Sequence, residues 1–300
     1  MKRRDFIRNS AALSALLAMG NYDSLIGATA TTGYDLIAVK GGNPAAMLDK
    51  GIAAMGGMSV IVKKNQTVVI KPNIGWDAVP EKGANTNPEL VGRLVKHCID
   101  AGAKDVYVFD NTCDNWSKCY KNSGIERAVK DAGGKIAPGN NESNYHQVDV
   151  KEGKVLKTAK VHELILESNV FINLPILKQH GSAMITIGMK NLMGIVWDRK
   201  YWHRNDLHQC IADFATFRKP DLNIVDAYAV MKQNGPRGVS LEDISIMKSL
   251  LISRDIVVID SAAAKLFGLE PDKIPYINYA DAMKVGKKDL KNLNVKRITI

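Results

Sequence analysis

The sequence predicts an α/β fold with a mixed, mainly parallel sheet flanked by helices, arranged as one body or as two intimate lobes. Short apolar runs of strand length recur along the chain, with helix-period stretches between them. Several of these runs are followed at once by residues able to do chemistry: Lys71-Pro72-Asn73, Asp110-Asn111-Thr112, Lys178 to Ser182, and Asp226. Glycine and proline are spread evenly, with no Ser- or Pro-rich linker and no internal repeat. That pattern argues against a string of separate domains.

Taken in order, Tyr34 to Val39 reads as a first strand and Pro44 to Met55 as a helix. Thr67 to Lys71 is a second strand. Pro88 to Ala101 has helical spacing, with Leu90, Leu94 and Cys98 on one face and Asn87 placed to cap it. Asp105 to Phe109 returns as a strand, and Gly124 to Ala132 is a helix closed by Gly133-Gly134. Further on, Leu207 to Phe217 is a helix and Leu222 to Val225 a strand that ends in Asp226. Asp255 to Phe267 is a helix that starts with a carboxylate near its positive end, and Val295 to Ile300 is a terminal strand.

The stretch from Phe171 to Arg199 organises the rest. Val170 to Leu174 is an apolar run that reads as a buried strand, which Pro175 stops by removing a ladder donor. A cationic loop is expected next, Lys178 to Ser182 with His180 inside it, at the carboxyl end of a strand where open α/β sheets place ligands. Ala183 to Val196 is apolar on nearly every side and reads as a buried helix interrupted by Thr186, Lys190 and Asn191. A buried neutral amide without partners costs on the order of 2 to 7 kcal/mol, so these groups need company. Either Lys190 reaches solvent and Asn191 caps a kink, or Lys178, His180, Lys190 and Asn191 line one pocket for an anion.

If the strands are parallel, their ends deliver Lys71, Asn73, Asp110, Lys178, His180 and Asp226 to a single rim. The competing reading is that polar residues follow strands in any protein because turns are polar. On the first reading His180 and Lys190 are the catalytic candidates, histidine because its ordinary pKa lies near neutrality. Lys71, Asn73, Asp110, Lys178, Asn191 and Asp226 are then ligand-binding. Arg237 joins them from Asn234-Gly235-Pro236-Arg237-Gly238, which is either a structural turn or a carboxylate- or phosphate-holding loop.

The pattern Asn173-x-Pro175-x-x-Lys178-x-His180 followed by Lys190-Asn191-x-x-Gly194 resembles the central signature of the domain of unknown function 362 family. Other matching pieces are Ile70-Lys71-Pro72-Asn73, Ala101-Gly102-Ala103, Ile211-Ala212-Asp213, Asp226, Asn234-Gly235-Pro236-x-Gly238, and Asp255 with Asp260. The resemblance spans about residues 34 to 285. Many members carry a ferredoxin-like cysteine cluster, which implies a redox role for them. This chain has no C-x-x-C-x-x-C run, which argues against an iron–sulfur centre here. The basic segment with His and Lys after a strand is also distantly similar to the nickel-pincer lactate racemases, which makes proton abstraction conceivable.

At the N-terminus, Lys2-Arg3-Arg4-Asp5-Phe6-Ile7 precedes a short apolar run, Ala11 to Met19, and then Ala28-Thr29-Ala30. Twin arginines, an apolar run too short to span a bilayer and a small-x-small cleavage site resemble a twin-arginine export signal at residues 1–30. A periplasmic or otherwise exported protein of residues 31–300 is therefore expected, with the twin-arginine export machinery as its partner in transit. Cleavage after Ala30 lowers the formal net charge from +10 to +8. The basic balance favours anionic ligands, while the absence of zinc-finger spacing, an aromatic RNP run or a long Lys/Arg block argues against nucleic acid. Cys113 and Cys119 stand either as an exported disulfide or as free thiols, and Cys98 reads as core. His203 and His208 lie about 140° apart on an ideal helix, so they would not chelate a metal from one helical face and only a loop would bring them together. A metal is one reading of these histidines; polar surface or substrate binding is the other. Three functions remain open: an exported enzyme acting on a small anion, a non-catalytic periplasmic binding protein, and an accessory subunit of an envelope redox complex.

Overall fold

A computed structural model describes residues 33–300; the expected export signal lies outside the described residues. β1 (Leu36–Lys40) leads into α1 (Pro44–Ala54), where Asn43 accepts from the Ala46 N–H and Pro44 occupies a position that needs no donor. β2 (Thr67–Pro72) is followed by α2 (Pro88–Asp100), capped by Asn87 through the Glu89 N–H as the sequence implies. β3 (Asp105–Val108), α3 (Trp116–Asn122), α4 (Ile125–Asp131) and β4 (Lys135–Ile136) complete the first half. β5 (Tyr145–Asp149) and β6 (Thr158–His162) form a separate antiparallel pair, and α5 (Glu163–Glu167) comes next. The central segment is β7 (Val170–Leu174), β8 (Ile176–His180), β9 (Met184–Thr186), α6 (Gly188–Asn191) and α7 (Lys200–Arg204). The chain ends with α8 (Leu207–Phe214), β10 (Leu222–Met231), β11 (Ile244–Ser253), α9 (Ile256–Phe267), α10 (Pro275–Ala282) and β12 (Val295–Thr299).

Ten strands make one mixed sheet, in the order β12-β1-β11-β10-β7-β2-β3-β4, with β8 attached to β10 and β9 to β8. The pairs β1–β12, β2–β3, β2–β7, β3–β4, β7–β10 and β8–β10 are parallel. Only β11 with its two neighbours and the β8–β9 pair run antiparallel. The fold is therefore α/β with a mostly parallel sheet flanked by helices, as the alternation of the sequence predicts.

The period-2 alternation of the strands sorts side chains between two apolar layers. Val68, Ile70, Ile172 and Leu174 pack with α1, α2 and α4 on one face; Val69 and Phe171 pack with α8, α9 and α10 on the other. Lys71 and Asn173 share the parity of Val69 and Phe171, so they enter the second layer. Register then aligns them: Lys71 pairs with Asn173, Asn173 with Asn223, and Asn223 with Ser253. The result is one polar row across β2, β7, β10 and β11, in a layer that is otherwise apolar.

Three expectations from the sequence are corrected. Lys178 to His180 are not in a loop, because the chain re-enters the sheet after Pro175 as β8 and the Pro175 carbonyl accepts from the Asp226 N–H. Ala183 to Val196 is not one helix. β9 turns back on β8, pairing Lys178 with Thr186 and His180 with Met184, and a short α-helix and a 3-10 turn follow. This segment lies between the sheet and helices and is buried almost throughout, so its hydrophobicity has no period from which strand and helix can be told apart. Finally, β10 does not end at Asp226 but continues to Met231. The Asp226 carboxylate is tolerated inside a strand because the N–H groups of Asn87 and Tyr228 donate to it at 2.8 and 3.0 Å.

Candidate anion site

Parallel β2, β3 and β7 end on the same side of the sheet, and a cavity of about 240 Å³ opens there. Lys71, Asn73, Asp110, Lys178, His180, Lys190 and Asn191 all line it. Its floor is an ion pair, with Lys71 Nζ 2.9 Å from Asp110 Oδ1 and both side chains buried. Lys71 Nζ also donates to the Pro72 carbonyl and to Asn191 Oδ1, each at 2.8 Å. It thus has three polar partners, two through hydrogen bonds and one through charge. Burial lowers the Lys71 pKa and Asp110 opposes that shift. Asp110 Oδ2 in turn accepts from the Ile74 N–H at 2.7 Å.

Asn191 ties the floor together. Its carbonyl oxygen accepts from Lys71 and from Asn73 Nδ2, and its amide donates to the Lys71 carbonyl and to Asn173 Oδ1. Asn173 Nδ2 then donates to the Gly188 carbonyl and Asn223 Oδ1. The helix that carries Lys190 and Asn191 is itself anchored by Asp260, which accepts from the Gly188 and Met189 N–H groups at 2.7 and 3.0 Å. Burial pushes the Asp260 carboxyl up to about 7. Gly194 sits against the ion pair so closely that a Cβ there would lie 1.8 Å from Asp110 Oδ1 and 2.6 Å from Lys71 Nζ.

The remaining cations differ in how they are held. Lys178 donates to Asn73 Oδ1 at 3.1 Å and to the Ala84 carbonyl, and burial brings its pKa down to about 7. Arg199 donates to the carbonyls of Asn111 and Thr112, clamping the loop after β3. Lys190 is partly buried and has no hydrogen-bond or ion-pair partner among the described residues; burial, then Arg199 and Lys71, bring its pKa to about 8, against the opposing effect of Cys113. His180 Nδ1 accepts from the Ser182 and Ala183 N–H groups, both at 3.2 Å. Burial and the neighbouring Lys190 and Lys178 hold this ring neutral, with a pKa of about 3. With Nδ1 used as an acceptor, the neutral ring carries its proton on Nε2.

Two predicted ligand residues fall elsewhere. Asp226 has the other strand parity and anchors the loop before α2, where burial raises its pKa to about 6. Arg237 points outward, 3.4 Å from Asp114 and above the Trp76 ring, with its side chain 62% exposed. The cavity also takes in residues to which the sequence reading gave other roles or none. Cys113 is an exposed free thiol on its wall, while Cys98, Cys119 and Cys210 are buried and also free. His203 stacks on His180 with ring centroids 6.3 Å apart. Asn111 and Cys113 lie one and three residues after Asp110, which is the one signal that pointed to them. Nothing in the pattern marked Arg199. Among the described residues no group of three or more His, Cys, Asp or Glu side chains is placed to hold a metal ion, and no helix is long and apolar enough to cross a membrane.

A family model described as Domain of unknown function (DUF362) matches residues 68–265. A thylakoid-associated protein of Synechocystis sp., sll1697, is 26% identical over 237 residues, which cover 74% of this chain and 69% of that protein. Among solved structures, the lactate racemase apoprotein from Thermoanaerobacterium thermosaccharolyticum aligns over 73% of this chain with a TM-score of 0.45 and 13% identity. A protein from Thermotoga maritima aligns over 76% with a TM-score of 0.49 and 12% identity. This chain spans 54% of the racemase and 60% of the Thermotoga protein.

Proposed function

This chain belongs to the domain of unknown function 362 family, and from that premise we propose that it is an exported protein that takes a small organic anion into the cavity beside Lys71 and moves a proton on it. The observation that carries the reading is the charge balance of the cavity: Lys71, Lys178, Lys190 and Arg199 line it, against the single carboxylate of Asp110. Burying that much like charge is costly, and lysines answer by losing protons. A bound anion relieves the cost and restores the protons, so binding and proton uptake are coupled. The volume equals roughly eight waters at about 30 Å³ each, room for an acid of a few carbons.

Roles follow from hydrogen bonding. Neutral His180, with Nδ1 engaged by two N–H groups, offers an Nε2–H to the anion and has no lone pair there to accept a proton. The role of proton carrier therefore falls to Lys178 instead of His180. Its amine donates two N–H bonds, to Asn73 and Ala84, and keeps one position for a proton that comes and goes near pH 7. Asn191 and Asp110 hold Lys71 as a fixed positive floor.

The test is calorimetric titration of the purified chain with oxalate, lactate, malate and phosphate at pH 8 in buffers of different ionisation enthalpy. Saturable binding with proton uptake, weakened at least roughly tenfold in Lys190→Ala, supports the reading; no binding by any of these anions refutes it. Loss of the substrate's carbon-bound proton to D2O separates an enzyme from a binding protein. Export is tested by cell fractionation and by sequencing the mature N-terminus, which should begin at Thr31.

A further inference from the structure

Of the cations around the cavity, only Lys190 has nothing to hold. Lys71 is paired with Asp110 and bonded to Asn191 and the Pro72 carbonyl, Arg199 spends its fork on two backbone carbonyls, and Lys178 makes two bonds. Lys190 Nζ has no hydrogen-bond or ion-pair partner among the described residues, although its backbone is among the best fixed in the site. Asp260 anchors the preceding Gly188 and Met189 N–H groups, and the next residue, Asn191, is bonded to both Lys71 and Asn173. The side chain thus extends from a rigid base into a space shared with other cations. An ammonium in that position is a poor structural element and a good latent nucleophile, since neighbouring positive charge favours the free amine.

We propose that Lys190 forms an imine with the carbonyl carbon of an anionic 2-oxo acid bound in this cavity. The inference rests on the anion-binding reading and narrows it to a class of substrate: an acid whose carboxylate meets the fixed cations while its carbonyl meets Lys190. Nζ adds to the carbonyl carbon, the carbonyl oxygen becomes a carbinol hydroxyl, and C=N forms as that oxygen departs. Both protons of the neutral amine leave with the oxygen as water, so no oxidant or reductant is consumed. His180 Nε2–H is the available donor to the developing oxyanion, and Lys178 is the available proton carrier for the dehydration. Once formed, the imine withdraws electrons from the adjacent carbon, which is what proton removal at that carbon requires.

The experiment uses the intact exported chain, pyruvate as probe and sodium borohydride as trap, followed by peptide mapping. One reduced adduct, of the mass of pyruvate joined by reductive amination, is expected on the peptide containing Lys190. At pH 7 the low pKa near 8 gives Lys190 roughly two- to three-hundredfold more free amine than a surface lysine, so its labelling should lead by a comparable factor. Oxalate, which carries no ketone, should compete with the labelling and raise the melting temperature by itself. Lys190→Arg should lose the adduct; the map of the unmodified chain decides the matter even if that variant fails to fold. An adduct on Lys178 instead, or labelling spread over surface lysines at equal rates, overturns the assignment of Lys190. Oxalate stabilisation without any pyruvate adduct overturns the imine and leaves the anion site standing. If neither pyruvate nor oxalate has an effect, the anion reading itself fails.

Discussion

Replacing Gly194 with alanine tests the centre of the site without removing any of its functional groups. A Cβ at this position would stand 1.8 Å from Asp110 Oδ1 and 2.6 Å from both Cε and Nζ of Lys71. Those distances are far inside contact, and the backbone is not free to retreat because the Gly194 carbonyl accepts from the Asn111 N–H at 2.9 Å. The carboxylate must therefore move off the ammonium, in a place where both side chains are buried. Separating a buried pair costs about 3–5 kcal/mol, and partial relaxation brings the expected loss to roughly 3. For a body of this size that corresponds to a fall in Tm of about 6–12 °C. Calorimetry and urea unfolding measure it, with Gly181→Ala in the β8–β9 turn as the matched control. Nothing lies within 4 Å of a Cβ at Gly181, so that variant should stay within about 0.5 kcal/mol of the parent. If Gly194→Ala is as stable as Gly181→Ala, the tight Lys71–Asp110–Gly194 packing is wrong, and the charge argument for the cavity falls with it.

Other consequences are measurable in the same preparations. Lys178 has a folded pKa depressed to about 7, below its unfolded value, so the unfolded chain binds more protons between pH 7 and about 10. Urea stability should rise across that window, by more than about 1 kcal/mol from this group, and Lys178→Met should flatten the rise. Asp260 has the opposite sign: its carboxyl is raised to about 7, so its favourable contribution is complete below pH 4 and is lost as pH climbs to 7. Stability of Asp260→Asn relative to the parent should accordingly improve over pH 4–7. Native protein should react with one equivalent of a thiol reagent, at Cys113, and with four after denaturation, because the other three cysteines are buried; two or more fast equivalents would contradict the packing. Asp226→Asn should lower stability by about 1–2 kcal/mol through the loop before α2 while leaving the oxalate affinity unchanged, and a tenfold loss of affinity would return Asp226 to the site.

Much of the fold is legible in one dimension. The strands Thr67–Pro72, Asp105–Val108 and Val170–Leu174 and the helices begun by Asn43, Asn87 and Asp255 carry local signals: apolar runs of strand length, cap residues and proline at the first turn. Seven of the nine residues singled out for the site line one cavity: Lys71, Asn73 and Asp110 because carboxyl ends of parallel strands must lie together, and the other four because β8 and the helix after β9 lie against those ends. Ala183 to Val196 is not the single helix its apolar character suggests, for a physical reason: a segment buried on nearly all sides shows no period. Asp226 was misplaced because a carboxylate in a buried strand is expensive unless backbone donors come from elsewhere, and α2's preceding loop supplies one of them.

The sequence alone determined the alternation of strands and helices, the family signature, the excess of positive charge and the residues that follow the strand ends. Only the tertiary structure decided which of those residues keep company. It put Lys71, Asn173 and Asn223 in one row by strand register, gave Lys190 no partner among the described residues while Lys71 found three, and engaged the single lone pair of His180 Nδ1 with two N–H groups so that its proton stands on Nε2. Register, parity and hydrogen-bond satisfaction are relations between distant segments, and a side chain's charge state follows from them. That is why the chemistry moved from the histidine to the lysines once the chain was folded.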